Sequence, residues 1–443
     1  MAEADETIFA LASGAVRVPV AVMRISGPAS GAILARLAGA VPPPRRASLR
    51  TLRGAEGEVL DRALVLWLPG PGTYTGEDSA ELHLHGGAAV IEAVAEALVA
   101  CGARPAAPGE FTKRAFLNGR LDLTEAEAVA DLIEAETPAQ RRQALRQMSG
   151  ELAALCAGWR ERLRRLLAHQ EALIDFPDED LPPEVEAGLS AEMAELAEAL
   201  ARHLGTARQA ERVREGLVVA VSGPPNVGKS TLINRLAGRE VAIVSPIAGT
   251  TRDVLEVRLV LGGMLMTFLD TAGLRESEGP IEREGVQRAR ARIGEADIVL
   301  ALDDQPSERG DDRPGDTAEG FPSGQEMIPV RTKADLGLTA PLAPGEIAIS
   351  AVSGEGLEAL NAALVAAAKR LTAGGEGALL TRARHRAAFA EALAALRRAE
   401  AAPWPELRAE ELRAANRALG RVTGEIGVED ILDAIFRDFC IGK

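Results

Sequence analysis

The segment Gly223-Pro-Pro-Asn-Val-Gly228-Lys229-Ser230 has the spacing G-x-x-x-x-G-K-S. Glycines so placed let backbone amides curl around phosphates, the lysine can reach the β- and γ-phosphates, and the hydroxyl can bind magnesium. The segment follows the apolar run LVVAV and opens a stretch with Leu232, Ile233 and Leu236 at helical spacing, which is the strand–loop–helix setting this chemistry requires. Downstream, Asp270-Thr271-Ala272-Gly273 ends the run LMTFL; there a carboxylate can hold magnesium through water and a glycine amide can sense the γ-phosphate. Between the two, Gly249-Thr250-Thr251-Arg252-Asp253 supplies a threonine hydroxyl as second magnesium ligand, most simply Thr251. The Gly223–Ser230 string is the strongest of the three, whereas each short downstream string taken alone reads equally as an ordinary turn. Their order and strand context predict a nucleoside triphosphatase, with nucleotide contacts at Asn226, Val227, Gly228, Lys229, Ser230, Thr231, Ser245, Thr250, Thr251 and the Asp270–Gly273 turn.

Base choice rests on Thr332-Lys333-Ala334-Asp335 after the run MIPV and on Ser350-Ala351 after EIAIS. The Asp335 carboxylate can accept from both the ring N–H and the exocyclic amine of guanine, which adenine does not present together, so GTP is the expected ligand. Thr332 stands where the usual G-protein motif has Asn, which removes a contact to the purine and a brace on the phosphate loop. Leu274 follows the Asp-Thr-Ala-Gly turn, so the water-orienting glutamine of Ras-like proteins is missing. Glu282 lies just beyond, and by residue type alone it is a solvated carboxylate at a helix start.

The elements needed to position these groups come in several units, since 443 residues suffice for about two to four domains with separate cores. Residues 1–119 mix short apolar runs such as Val20–Ile25 and Ala63–Trp67 with Gly/Pro punctuation, an α+β texture. From about 120 the pattern turns helical. Thr124 with Glu127, and Thr137 with Pro138 and Gln140, read as two helix starts. Leu145, Met148, Leu152, Leu155, Trp159, Leu163 and Leu166 read as one apolar stripe on the second. Residues 216–371 alternate apolar runs with helical stretches, predicting an α/β unit. Helical pattern returns after TAGGEG at 372–377 and places Val428, Ile431, Leu432, Ile435, Phe436 and Phe439 on one face. Neither helical segment alone has enough apolar faces for a core. The expected plan is therefore multidomain: an α+β N-terminal domain at 1–119, a discontinuous all-α domain at 120–215 plus 372–443, and an inserted α/β Ras-like P-loop domain at 216–371. The acidic string at 175–188 reads as a helix connection and 303–326 as a loop without order.

Composition narrows the partners. A net charge of −15 opposes non-specific polyanion binding, leaving nucleic acid to local patches. The arginine clusters at 141/142/146, 160/162/164/165 and 382/384/386 read as solvated helix faces because acids lie near each. No run approaches the roughly 18 apolar residues of a membrane span, and the N-terminus lacks the basic-then-apolar order of a signal peptide. A cytoplasmic protein without membrane association is expected. Cys101, Cys156 and Cys440 lack zinc-ligand or redox spacing.

The string GPPNVGKSTLINRLAGRE, with SPIAGTTRDV and DTAGLRE, resembles the G domain shared by MnmE and the ribosome-assembly GTPases Era and Der. The ending Phe439-Cys440-Ile441-Gly442-Lys443 and the blocks MRISGP, TGEDSAELHLHGG and PGEFTKRAFLNGRLDLTEAEAVADLI resemble the MnmE/TrmE family, so the likeness runs from about residue 7 to 443. That resemblance implies a homodimer acting with the FAD-dependent protein MnmG to place an aminomethyl-type group on C5 of the wobble uridine of certain tRNAs. It implies an N-terminal domain holding 5-formyl- or methylene-tetrahydrofolate at the dimer interface, with Arg24, Glu81, Arg120 and Lys443 at folate-contacting positions. It further implies potassium coordinated by Asn226 and the segment containing Ser245, Ile247 and Thr250, with Glu282 orienting the attacking water and Cys440 taking part in modification. Potassium beside the phosphates can offset transition-state charge where other GTPases use an arginine finger; Arg252 and Arg275 are left without a role.

Two other functions fit parts of the chain. A GTP-regulated switch in ribosome assembly fits the G-domain texture but not the tail or N-terminal blocks. A folate-dependent methyltransferase with a vestigial G domain fits the N-terminal blocks but not an intact GKS and DTAG.

Overall fold

The structure is a computed structural model that describes residues 6–14, 18–175, 183–238, 242–243, 256–270, 294, 296–304, 325–337, 340–426, 432, 435–436, 439 and 442; of 183–185, 242–243 and 270 it describes the backbone alone. The chain divides into two compact units. One comprises Met1–Ala130, Gln147–Glu179 and Ala402–Lys443, the other Asp131–Arg146 and Asp180–Ala401.

The first unit holds a six-stranded sheet formed by β1 (Ile8–Leu11), β2 (Val20–Ser26), β3 (Ser48–Arg53), β4 (Val59–Leu68), β5 (Ser79–His85) and β6 (Arg104–Pro105), in the order β3-β4-β5-β2-β1-β6. Alternate residues of β2 and β5, among them Met23, Ile25, Ala80, Leu82 and Leu84, are buried, together with Leu34, Leu37 and Leu98 from the helices Ser30–Ala38 and Ala88–Ala100. The period of two leaves Arg24, Glu81 and His83 on the opposite face. Helix Glu110–Leu117 follows, and the helices Glu151–Asp175 and Pro405–Thr423 pack side by side in the same unit. Leu432, Phe436 and Phe439 are buried with Leu123 and Ala126, as the apolar face at the chain end predicts; Val428 and Ile431 lie outside the described residues.

The second unit contains a seven-stranded sheet. Its strands are β7 (Leu217–Ser222), β8 (Ala242–Ile243), β9 (Glu256–Leu261), β10 (Met264–Asp270), β11 (Ile298–Asp303), β12 (Glu326–Arg331) and β13 (Ile347–Ala348), ordered β13-β12-β11-β7-β10-β9-β8. β10, β7, β11, β12 and β13 run parallel, while at one edge β9 runs antiparallel to both of its neighbours, β10 and β8. Val219, Val221, Phe268, Leu300 and Val330 face a core shared with Leu232 and Leu236 of helix Lys229–Ala237 and with Leu360 and Leu364 of helix Leu357–Leu371. β9 and β10 join through Gly262-Gly263, both at positive φ, the conformation a two-residue hairpin turn demands. Helices Pro183–Gly205 and Ala383–Ala401 pack together, and helix Ala207–Glu215 leads into β7.

Three expectations are corrected. Helix Leu123–Glu134 starts from Asp122, whose Oδ1 accepts from the amides of Thr124 at 2.7 Å and Glu125 at 3.0 Å while Glu125 Oε2 accepts from the Asp122 amide at 2.8 Å. That capping box lies two residues before the Thr124–Glu127 pair, both members of which are buried. The supposed single stripe from Leu145 to Leu166 spans two helices, Pro138–Met148 and Glu151–Asp175, interrupted at Gly150 with φ 78°. Leu145 and Met148 are exposed, and the buried stripe of the second is Leu152, Cys156, Trp159, Leu163 and Leu166. The string at 175–188 is helical from Pro183 onward. Thr137 and Gln140 do cap their helix reciprocally, at 3.2 and 3.0 Å.

Candidate functional site

The phosphate-loop sequence leaves the C-terminal end of β7 between β10 and β11. From β7 the chain builds toward β10 and then crosses to β11 on the other side, so the loop sits where strand order reverses, the place where open α/β sheets bind ligands. Gly223 is required there: its φ is 151°, and a Cβ would stand 2.4 Å from the Leu302 carbonyl oxygen of β11. Asn226 takes a left-handed conformation at φ 62° with an exposed side chain, and Val227 plugs into the core. Gly228, at φ 103°, precedes helix Lys229–Ala237, whose first-turn residues Ser230 and Thr231 are exposed. The Lys229 ammonium donates to the carbonyls of Gly223 at 2.7 Å and Pro224 at 3.0 Å. The lysine is therefore folded across the mouth of its own loop, beside a helix N-terminus suited to an anion.

The other nucleotide motifs end neighbouring strands. Asp270 closes β10 level with Val221 of β7. Thr332 and Lys333 follow β12, and Asp335 is an exposed carboxylate in a single 3-10 turn, Ala334–Leu336, anchored by the Ala334 amide on the Ile349 carbonyl at 3.0 Å. Buried Ser350 accepts from the Ser353 amide through Oγ at 3.1 Å, and Ala351 packs against the sheet core. Thr332 is buried; its amide donates to the Asp303 carbonyl at 2.8 Å and its hydroxyl reaches that same oxygen at 3.4 Å. Lys333 pairs with Asp304 at 2.6 Å, a partner that sequence reasoning missed. Ser245, Ile247, Thr250, Thr251, Arg252, Thr271, Ala272, Gly273, Leu274, Arg275, Glu282, Cys440 and Lys443 lie outside the described residues, as does the Asp270 side chain.

A second constellation lies in the first unit. Arg24 of β2 and Glu81 of β5 are register partners, and the guanidinium donates to Glu81 Oε1 at 3.2 and 3.1 Å. His83 stands 3.6 Å from the other Glu81 oxygen. The Arg24 guanidinium also lies 5.8 Å from the Tyr74 ring centre and 5.9 Å from that of Phe111. Burial pushes the Tyr74 phenol up, against the downward pull of its bond to Thr112 and of Arg24. Arg120 approaches the same loop from another side: a Cβ at Gly76 would meet its stem at 3.2 Å, and Asn118 Nδ2 donates to the Thr75 carbonyl at 2.7 Å. The 72–78 loop thus lies against both arginines, although they are not paired with each other. Tyr74 and Phe111 were not singled out from sequence, because only the fold brings them to Arg24. Gly442 is buried, and a Cβ there would meet the Leu11 carbonyl at 2.4 Å, which returns the chain end to β1, the neighbour of Arg24.

The arginine clusters are more structural than a solvated face implies. Arg160 reaches Asn416 at 3.1 Å and pairs with Glu425, Arg382 meets Asp131 at 2.6 Å, and Arg386 meets Glu211 at 2.9 Å. Among the described residues, Arg164 and Arg165 make their ion pairs with Glu161 on their own helix, as a solvated face would. Among the described residues no helix is long and apolar enough to cross a membrane.

Comparison with known proteins gives these sites a context. The MnmE helical domain profile matches residues 123–440, and that of the GTP-binding protein TrmE N-terminus matches residues 7–120. The tRNA modification GTPase MnmE of Granulibacter bethesdensis is 55% identical over 441 residues, covering 99% of this chain and all of the relative. The protein of the same name from Gluconacetobacter diazotrophicus is 56% identical over 440 residues, 98% of each. With both the N-terminal and helical profiles matched and similarity running end to end, the chain belongs to the MnmE family of tRNA modification GTPases.

Proposed function

We propose that this GTPase couples GTP hydrolysis to installation of an aminomethyl-type group at C5 of the wobble uridine of certain tRNAs. It does so as a cytoplasmic homodimer with an FAD-dependent MnmG-type partner and a tetrahydrofolate one-carbon unit. The observation that carries the nucleotide half is the convergence of the Lys229 loop, Asp270 and the Asp335 turn on one edge of a parallel sheet. The domain plan of 1–119, 120–215 plus 372–443, and 216–371 belongs to the same reading. It draws support from the helical-domain match, which spans the P-loop sheet from 123 to 440.

Magnesium would be held by Ser230 and Thr251, with Asp270 acting through water; exposed Ser230, one residue after Lys229 in the first helical turn, suits that place. Asn226 is likewise suited to potassium, because its left-handed backbone leaves an exposed amide oxygen beside the loop; Ser245, Ile247 and Thr250 would complete the set. A monovalent cation there supplies positive charge beside the phosphates. Glu282 would orient the attacking water. In the first unit, Arg24, Glu81, Arg120 and Lys443 would hold 5-formyl- or methylene-tetrahydrofolate. A charged pair next to Tyr74 and Phe111 offers both ionic contacts and aromatic faces to a flat heterocycle carrying a glutamate tail. Cys440 would act in the modification step.

Mass spectrometry of wobble nucleosides in total tRNA from cells with and without the protein tests the whole reading. The aminomethyl-type uridine should disappear on deletion; its persistence refutes the proposal. For the cation, GTP turnover is expected to rise by about tenfold or more when potassium replaces sodium. Asn226→Ala should abolish that response, and Glu282→Ala should slow hydrolysis while sparing nucleotide binding. Equal rates in the two salts would remove potassium from the mechanism.

A further inference from the structure

Thr332 and Lys333 leave β12, whose neighbour β11 lies between it and β7, the strand of the phosphate loop. The Thr332 side chain is short and buried, and among the described residues its hydroxyl reaches only the Asp303 carbonyl at the end of β11, at a long 3.4 Å. The turn itself is anchored by the Ala334 amide on the Ile349 carbonyl and the Leu336 amide on the Lys333 carbonyl, both at 3.0 Å, so what the Thr332 hydroxyl leaves unheld is the Lys333 side chain. Lys333 holds a left-handed backbone at φ 59°, which a non-glycine residue seldom adopts without support. Its ammonium is drawn across to the Asp304 carboxylate at 2.6 Å. Asp304 is the first residue beyond β11, so the four-carbon stem of Lys333 runs from the base-reading turn toward the phosphate loop. A nucleotide bound by both must cross this ground. The pair is 40% and 28% exposed, open to a ligand from the solvent side.

We propose that Asp304 is a positioning residue for guanine nucleotides: by holding the Lys333 ammonium it fixes the lysine stem as a preformed wall beside Asp335, a restraint that the side chain at 332 does not supply. The proposal rests on the reading of residues 332–335 as the base site. A flexible lysine loses rotamer freedom when it is ordered, and a partner that orders it beforehand removes that loss from binding. The effect is therefore expected in affinity.

The opposite expectation comes from charge alone. If Asp304 merely neutralised Lys333, its removal would leave a free cation near the phosphates and tighten binding. Calorimetric titration of the full chain with GDP separates the two. Asp304→Asn, which keeps shape and loses charge, is expected to weaken GDP about three- to fivefold, within the range of a half-exposed ion pair. The fall in GTP kcat/KM should be carried by KM. Thr332→Asn in the Asp304→Asn background should recover affinity, since a carboxamide offers a longer reach and two donors. Unchanged or tighter GDP binding by Asp304→Asn overturns the proposal, as does an equal loss in kcat. Asp335→Asn serves as control for the site itself: if it weakens GDP no more than Asp304→Asn does, the base-site reading fails together with the proposal. If only the Asp304 arm fails, that reading stands.

Discussion

Lys229→Ala is expected to lower the rate of GTP hydrolysis at saturating nucleotide by about a hundred- to a thousandfold, the cost of removing one preorganised charge from a phosphoryl-transfer site. The ammonium is already in the loop, held by the Gly223 and Pro224 carbonyls at 2.7 and 3.0 Å, and Lys229 is 8% exposed. Exchange of those neutral acceptors for phosphate oxygens turns hydrogen bonds with one charged partner into ion pairs, in a loop where the charge is poorly screened by water. Little of the side chain has to be reorganised for this, because it already lies across the loop mouth. The fold should tolerate the change: the sheet core is made by Val221, Val227, Leu232 and Phe268, none of which depends on the ammonium. Single-turnover hydrolysis with hydrogen exchange over 217–237 checks both halves. A rate within tenfold of the parent with unchanged exchange would place the catalytic charge elsewhere. Lys229→Arg is not expected to rescue, since a planar fork does not replace a compact ammonium inside a tight loop.

The site was more legible in the sequence than the scaffold, for a physical reason. A phosphate loop is built from consecutive residues, so Gly223 through Ser230 can be read directly, and the parallel strands that end at Asp270 and Arg331 announce themselves as apolar runs. Arg24 and Glu81 are 57 positions apart and meet only because β2 and β5 pair in one register. Their partners Tyr74 and Phe111 could not be found by spacing. At the start of helix Leu123–Glu134, Asp122 with Glu125 and Thr124 with Glu127 share one spacing, and only the fold shows that Asp122 and Glu125 are the reciprocal pair, through the amides of Asp122, Thr124 and Glu125. The stripe that seemed continuous from Leu145 to Leu166 was misread because leucine periodicity survives across Gly150, whereas the backbone hydrogen-bond ladder does not.

The largest expected effect on stability lies in the first unit, at Arg114. This guanidinium is 5% exposed; it donates to the Glu6 carbonyl at 2.8 Å, to both Glu77 oxygens at 3.2 Å and to Glu110 Oε1 at 3.0 Å. Glu110 also receives Arg104 at 2.8 and 2.7 Å and the Ala107 amide at 2.8 Å, while Glu77 receives the Ser26 hydroxyl at 2.7 Å. Through Glu77 and Glu110, Arg114 therefore ties Ser26 of β2, the loop after β4 and helix Glu110–Leu117 together. Arg114→Met leaves two carboxylates without their shared counter-charge and should destabilise this unit by about 3–5 kcal/mol. Because a chain of two units need not unfold in one step, hydrogen exchange over 104–117 is the appropriate measure; protection unchanged there would show the network to be dispensable. The pH dependence has a definite sign. Burial raises the Glu110 carboxyl, but the bonds from Arg104, the Ala107 amide and Arg114 outweigh it and hold the group at about 2, below its ordinary value of 4.5. A carboxyl depressed in the folded state contributes stability that is complete above the ordinary value and is lost as pH falls toward the folded one. The contribution is on the order of 3 kcal/mol. Glu110→Gln should thus cost stability at pH 7 and progressively less as pH falls from about 4.5 toward 2. A gap between parent and variant that does not narrow over that interval would mean that packing, not the charge of Glu110, holds the helix in place.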